Sequence, residues 1–511
     1  MLVKVFGAAV QGIDAFVVTI EVNASRGIRF FLVGLPDSAV RESHERIVSA
    51  LQCLDMKFPA QQIIVNMSPA DIRKEGAAYD LPLAIGILAA GGILGTGHLE
   101  EYLIMGELSL DGTLLPVKGV LSMALKARES GFKGMILPIG NAPEAAAVGG
   151  LEIIGADNLK QVIGFLNGTV RMEPFNGEQG MNASAAAPSL PDYADVKGQM
   201  AVIRAMEVAA AGSHNIIMSG PPGSGKSMIA QRMPSILPPL SLEESLETTR
   251  IHSVAGLSKS GGSLMTERPF RSPHHTISGV ALTGGGTNAQ PGEISLAHNG
   301  VLYLDELPEF SRTVLEMLRQ PLEDRRITVS RSKYCVEYPA SFMLVASMNP
   351  CPCGYCNHPT RPCTCRPDMI SRYRNRISGP LMDRFDIQCE ILPVPFEVMS
   401  RDSRTESSSS IRSRVETARA IQADRFRNEK GIYSNSQMTQ SMVSRYALPD
   451  REGLLLLRDA MIRLDLSARA YNRILKVART IADIEGNDMV QSHHIAEAIG
   501  YRSLDRADWR R

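Results

Sequence analysis

A short apolar run, residues 215–219, ends in Gly220-Pro221-Pro222-Gly223-Ser224-Gly225-Lys226-Ser227, and a helix-forming stretch follows. No other feature limits the possible folds as strongly. The pattern G-x-x-x-x-G-K-[ST] between a strand and a helix is a phosphate-binding loop. Its glycines let successive backbone N–H groups converge on phosphate oxygens, and the helix N-terminus adds a favourable dipole. Gly220, Pro221, Pro222, Gly223, Ser224, Gly225, Lys226 and Ser227 are therefore the expected ATP cradle. Lys226 would neutralise the β- and γ-phosphates, and Ser227 would ligate Mg²⁺. Such a loop needs a parallel sheet around it. Short apolar runs at 215–219, 300–304, 342–347 and 386–392 alternate with helical stretches, which argues for an α/β fold with a parallel core over residues 193–395.

The run Gly300-Val301-Leu302-Tyr303-Leu304 ends in Asp305-Glu306. A strand tip carrying two carboxylates can place Asp305 on the Mg²⁺ and Glu306 on the attacking water. The run 342–347 leads into Met348-Asn349-Pro350. An asparagine delivered beside the loop could orient that water, although an isolated Asn is more often a turn former.

The remaining organisation follows from composition. The 511 residues hold 54 Lys+Arg and 54 Asp+Glu, so any polyanion binding must rest on local patches. At roughly 150 residues per domain the length suggests about three domains. Residues 1–168 mix strand-like runs (17–22 and 62–66) with an amphipathic helix over 38–54. They carry 13 basic and 17 acidic residues and are a poor main surface for nucleic acid. Residues 169–192, centred on 182–189, read as a linker, and the serine-rich 396–410 as a second. Residues 411–511 read as a helical domain, with periodic stretches at 454–464 and 471–484 and a last helix at 488–500. The longest apolar run, 81–94, is shorter than the ~18 residues of a membrane span and reads as a buried helix or strand. Residues 1–16 lack the apolar core of a secretory signal. A soluble cytoplasmic protein is expected.

Five of the eight cysteines fall in Cys351-Pro-Cys353-Gly-Tyr-Cys356-Asn-His358 and Cys363-Thr-Cys365. Two close thiol pairs separated by a short loop can wrap a tetrahedral ion. Cys351, Cys353, Cys363 and Cys365 are the expected ligands of a structural Zn²⁺, with Cys356 or His358 as substitutes. Redox-sensitive or unliganded thiols are the alternative. Cys53, Cys335 and Cys389 are expected to be packing residues.

Four further stretches carry a family resemblance: Arg268-Pro-Phe-Arg-Ser-Pro-His-His-Thr-Ile-Ser, Pro291-Gly-Glu-Ile-Ser-Leu-Ala-His-Asn-Gly-Val, Gly379-Pro-Leu-Met-Asp-Arg-Phe-Asp and Leu466-Ser-Ala-Arg-Ala-Tyr. With the two nucleotide motifs they make the chain similar, over nearly its whole length, to AAA+ ATPases of the magnesium-chelatase-like branch, in the ComM/YifB group. The resemblance implies an AAA+ core with a helical lid and a homo-oligomeric ring, usually a hexamer, with ATP held between subunits. Arg384 matches the arginine finger, Arg469 the sensor-2 arginine and Asn349 sensor 1. Two insertions would act in the ring pore, one within residues 252–290 and one the hairpin 326–338. The hairpin's alternating Ile327, Val329, Arg331 and Lys333 suit a ribbon with basic residues near its tip. Residues 321–384 hold ten basic and five acidic residues, and Arg366, Arg372, Arg374 and Arg376 follow the cysteines closely. A ring would repeat this patch, so DNA, branched or single-stranded, is the expected partner.

Residues 75–85 and 105–120 resemble the Lon-protease proteolytic domain, an α+β fold like ribosomal protein S5 domain 2. Lon chemistry needs a Ser nucleophile and a Lys base. Ala78 and Leu121 stand at those positions, so proteolysis is not expected, and the domain is read as a docking or DNA-guiding collar. The activity expected is DNA branch migration or helicase action in recombination or natural transformation. A motor remodelling a protein partner, or a nucleotide-gated scaffold, are the alternatives.

Overall fold

The computed structural model describes residues 1–175, 190–257, 264–286, 289–331, 334–356, 358–395, 397, 405–429, 431–502 and 504. The centre of the first linker, residues 182–189, lies outside the described residues, as do 400–404 of the second and Lys333 of the hairpin. The chain divides into two compact units: Met1–Ala187 with Leu242–Met265, and Pro188–Ser241 with Thr266–Arg511.

The first unit is built on a seven-stranded mixed sheet. Its order is Phe30–Val33, Gln62–Ser68, Asp14–Ser25, Leu2–Gln11, Tyr102–Ile104, Gly134–Pro138, Glu152–Ala156. Asp14–Ser25 alternates as a half-buried strand should, with Val18, Ile20, Val22 and Ala24 on the covered face. The apolar run at 81–94 becomes the helix Asp80–Ala90, buried at every residue. A helix that is apolar all round has no wet face and belongs inside. Its one charge, Asp80, is paired with Arg46 at 2.6 Å and accepts from Ser43. The single helix expected over 38–54 is two, Ser38–Arg41 and Ser43–Cys53, divided at Glu42.

The helix Leu242–Val254, inside the nucleotide-binding half by sequence, belongs to this first unit. Arg250 donates to Ile13 O at 2.8 Å and pairs with Asp14, while Ser253 bonds the buried Glu144. Leu246 and Leu264 pack on the first unit's apolar cluster. Ala78 and Leu121 are apolar positions here as well, and Leu121 is fully buried.

The second unit carries a five-stranded sheet, Phe270–Arg271, Val301–Leu304, Met343–Met348, Ile216–Ser219, Ile387–Glu390, parallel throughout. The three central strands are buried at every residue, as strands covered on both faces must be. The lid helices Ser408–Arg425, Gln440–Tyr446, Arg451–Arg463, Ala468–Ile484 and Ser492–Gly500 follow. Val415, Ile474 and Ile481 of the lid share one apolar cluster with Ile216, Met218 and Val345 of the sheet. The first lid helix starts inside the serine stretch, with Ser407 as its N-cap. The hairpin pairs Arg326–Arg331 with Tyr334–Pro339 antiparallel. It buries Ile327, Val329, Val336 and Tyr338, and Arg326 pairs with Glu337 at 2.9 Å. Cys389 is buried as expected of a packing residue, but Cys53 and Cys335 are exposed. A thiol's hydropathy does not say on which face of its element it falls.

Candidate nucleotide site

Crossover connections put the C-terminal ends of all parallel strands on one edge, where ligands of such sheets bind. Three adjacent strands deliver the site there: Ile216–Ser219 leads into the loop, Val301–Leu304 into Asp305-Glu306, and Met343–Met348 into Asn349. Gly225 takes φ +86°, a left-handed conformation that turns the chain into the helix Lys226–Gln231.

Lys226 is buried, and its ammonium donates to Gly220 O at 2.7 Å, Pro221 O at 2.8 Å and Asn349 Oδ1 at 3.2 Å. Burial pulls its pKa down to about 8, against the opposing attraction of Asp305 and Glu306. Ser227 Oγ donates to Asp305 Oδ2 at 2.7 Å, and Ser347 donates to the other carboxylate oxygen. Burial pushes the Asp305 carboxyl up, but the Ser347 and Ser227 hydroxyls outweigh it and hold the group below its ordinary value. A hydroxyl and a carboxylate in direct contact form the donor pair Mg²⁺ needs, hard oxygen atoms on two rigid elements. Glu306 projects, half exposed, from a left-handed residue (φ +52°), and His275 Nδ1 lies 3.9 Å from its Oε2. Lys226, Ser227, Asp305, Glu306 and Asn349 are thus brought together.

Arg384 and Arg469 are not. Arg384 stands just before Ile387–Glu390, whose Ile387 registers with Ile216. Asn215 Nδ2 donates to the Arg384 carbonyl at 3.0 Å, which fixes this turn at the start of the strand whose far end opens the loop. Four residues at roughly 3.3 Å each make about 13 Å of strand between the two ends, more than an arginine side chain spans. The Arg384 guanidinium pairs with Glu323, and its buried Nε has no partner among the described residues. Burial, then Arg473, Arg469 and Arg319, lower its pKa. Arg469, largely exposed, lies 3.7 Å from Asp383 on the same end. The two arginines stand at the strand end opposite their own chain's phosphate loop, close enough for Arg469 to act on the Arg384 charge.

The four expected cysteine ligands also converge. Sγ–Sγ separations are 3.4 Å for Cys351–Cys353, 3.7 Å for Cys351–Cys363 and 3.6 Å for Cys353–Cys363, and all four sulfurs, Cys365 included, lie within 4.8 Å of one another. Zn–S bonds of about 2.3 Å in a tetrahedron place sulfurs about 3.8 Å apart, so the donor set fits one ion. Cys356 stays outside and contacts Arg374. His358 Nδ1 accepts the amides of Thr360 and Arg361.

The sequence reading missed Ser347 and Asn215. Each is a polar residue in or beside an apolar strand, and that interruption was the available signal. Asn215 also accepts the Leu344 amide at 2.9 Å, so it ties three strands at the end where Arg384 stands.

A five-stranded parallel sheet, this loop and this carboxylate strand, closed by a helical lid, define an AAA+-type P-loop nucleotide-binding protein. Residues 192–399 match the family described as magnesium chelatase, subunit ChlI. Residues 20–141 match that described as subunit ChlI of Mg-chelatase, and 405–502 its C-terminal part. The chain is 42% identical over 510 residues to competence protein ComM of Haemophilus influenzae, covering 99% of this chain and 98% of that protein. It is 42% identical over 500 residues to YifB of Salmonella typhimurium, covering 98% and 96%. Lon protease 2 of Bacillus subtilis is 28% identical over 145 residues, 28% of this chain and 26% of the protease. The chain belongs to the magnesium-chelatase-like ComM/YifB family, with a Lon-like N-terminal region. No described helix is long and apolar enough to cross a membrane.

Proposed function

We propose that the protein is an ATP-driven ring motor that acts on DNA, with branch migration in recombination or transformation as its task. The observation that carries the ring is the strand-length separation of Arg384 from Lys226 within one chain. A guanidinium that cannot reach its own nucleotide, and that keeps an unpartnered N–H, suits the γ-phosphate held by a neighbouring copy. Arg469 at the same end would join it. Within each chain, Ser227 and Asp305 would hold Mg²⁺, which neutralises charge on the transferring phosphoryl group. Glu306 would accept the proton of the attacking water, and Asn349 would orient that water. A structural Zn²⁺ on the four cysteines completes the cofactor set. The DNA assignment draws on the similarity to a competence protein and on the basic surplus of residues 321–384.

The test is complementation between two dead subunits. Lys226→Ala and Arg384→Ala chains are each inactive alone. When they are mixed, the intact loop of the Arg384→Ala chain faces the intact arginine of the Lys226→Ala chain, and ATPase activity returns. No recovery on mixing refutes the shared site. Forked, four-way and single-stranded DNA are added in parallel. Stimulation by branched DNA supports the motor's substrate, whereas stimulation only by a protein partner replaces it with protein remodelling.

A further inference from the structure

Among the described residues, 351–356 and 358–366 carry no helix or strand and lie between Asn349 and the helix Pro367–Arg374. The only buried side chain among them is Cys351. A loop of this length with no apolar core of its own cannot offset its ordering entropy by burial and needs another cross-link. The four sulfurs supply the donor set, and the Cys356 amide donates to Cys351 Sγ at 3.3 Å and the Cys353 amide to Cys365 Sγ at 3.4 Å. Such amide donors surround thiolates that hold metal. The spacing suits one ion rather than an iron–sulfur cluster, whose thiolates are spread over several metal atoms. Arg374 donates to Pro350 O at 3.1 Å and to Cys356 Sγ at 3.8 Å, which ties the following helix back onto the loop.

The loop is also a wall of the nucleotide site. Gly354, at φ +83°, donates to Cys351 O at 2.9 Å, and a Cβ there would stand 2.5 Å from Cδ of Pro222 in the phosphate loop. Two residues before Cys351, Asn349 holds Lys226. We infer that a zinc ion on Cys351, Cys353, Cys363 and Cys365 locks Gly354 against Pro222 and Asn349 against Lys226, so that metal occupancy sets the affinity for nucleotide. The inference rests on the nucleotide-site assignment above. Without the ion the loop samples open conformations. If the competent one falls to about a tenth of the population, apparent affinity falls about tenfold.

The full-length chain is assayed for bound zinc, for the visible bands of its cobalt-substituted form, and for the Kd of a fluorescent ATP analogue with Mg²⁺. The expected result is one zinc per chain and tetrahedral tetrathiolate cobalt bands. Chelation should weaken nucleotide binding about tenfold, and added zinc should restore it. Cys365→Ser should reproduce the chelated state, and Cys365→His, which supplies a nitrogen donor in place of the sulfur, should recover both metal and affinity. Gly354→Ala should keep its zinc and still bind nucleotide more weakly. Absence of stoichiometric metal, or of the cobalt bands, overturns the metal site. Bound metal with unchanged Kd after chelation overturns the coupling alone. Lys226→Ala is the control on the underlying assignment: full nucleotide binding by that variant removes the site itself, whatever the cysteines do. Chelation and recovery on the unaltered chain cover the case in which Cys365→Ser does not fold.

Discussion

Replacing Lys226 by methionine should stabilise the free protein while abolishing its response to nucleotide. The ammonium sits buried among the loop's own carbonyls, and burial lowers its pKa from 10.5 to about 8. That difference corresponds to a penalty of roughly 3 kcal/mol on the charged form. The methionine removes the penalty but also the donor to Gly220 O, Pro221 O and Asn349 Oδ1. Losing those bonds costs about 1–3 kcal/mol. A net gain of about 1 kcal/mol at pH 7 raises the melting temperature by about 2 °C for a unit of this size. The pH dependence carries the stronger test. A lysine whose folded pKa is depressed burdens the fold fully below about pH 8, and the burden fades as pH rises from there towards 10.5. The variant should therefore lead at pH 7, and at pH 10 it should trail by the cost of the lost bonds. Melting curves at the two pH values, with and without Mg·ATP, read both effects. MgATP should raise the melting temperature of the parent and leave the variant unmoved. A variant that trails equally at pH 7 and pH 10 would refute the claim that the buried charge is costly.

Three further changes test other parts of the molecule. Asp305→Asn keeps the bonds to Ser227 and Ser347 in shape but removes the charge, so the Mg²⁺-dependent part of ATP-analogue affinity should vanish in a titration with and without the metal. Arg384→Ala should bind nucleotide normally and lose about 10³-fold or more in turnover by phosphate release, since the arginine serves the transition state rather than the ground state. In the lid, Asp483 is the shared partner of Arg425 and of the buried Arg479. Asp483→Ala leaves two inward guanidinium groups without their carboxylate and should cost about 3–5 kcal/mol in urea unfolding.

The chemistry of this chain was legible where it is local. The loop, the Asp305-Glu306 strand tip and Asn349 are each set by a few consecutive residues, and four sheet strands announce themselves as apolar runs. The fifth strand, Phe270–Arg271, is two residues long and leaves no such trace. The side chains that orient the site, Ser347 and Asn215, act across strands, so their partners are invisible to a reading along the chain. Arg469 illustrates the same limit. Its motif places it on a lid helix, but only the turn carrying Asp383 decides which end of the sheet it faces. For the helix Leu242–Val254, sequence shows that a helix forms, not which of two apolar cores it covers.

That helix has a consequence for biosynthesis. The first unit draws on residues 242–265, so its apolar surface cannot be completed while only the N-terminal 187 residues have left the ribosome. The growing polypeptide must carry an unfinished N-terminal body through synthesis of the whole phosphate-loop strand and helix before Leu246 and Leu264 arrive to seal it. A fragment ending near residue 190 would be a domain lacking a wall, prone to self-association.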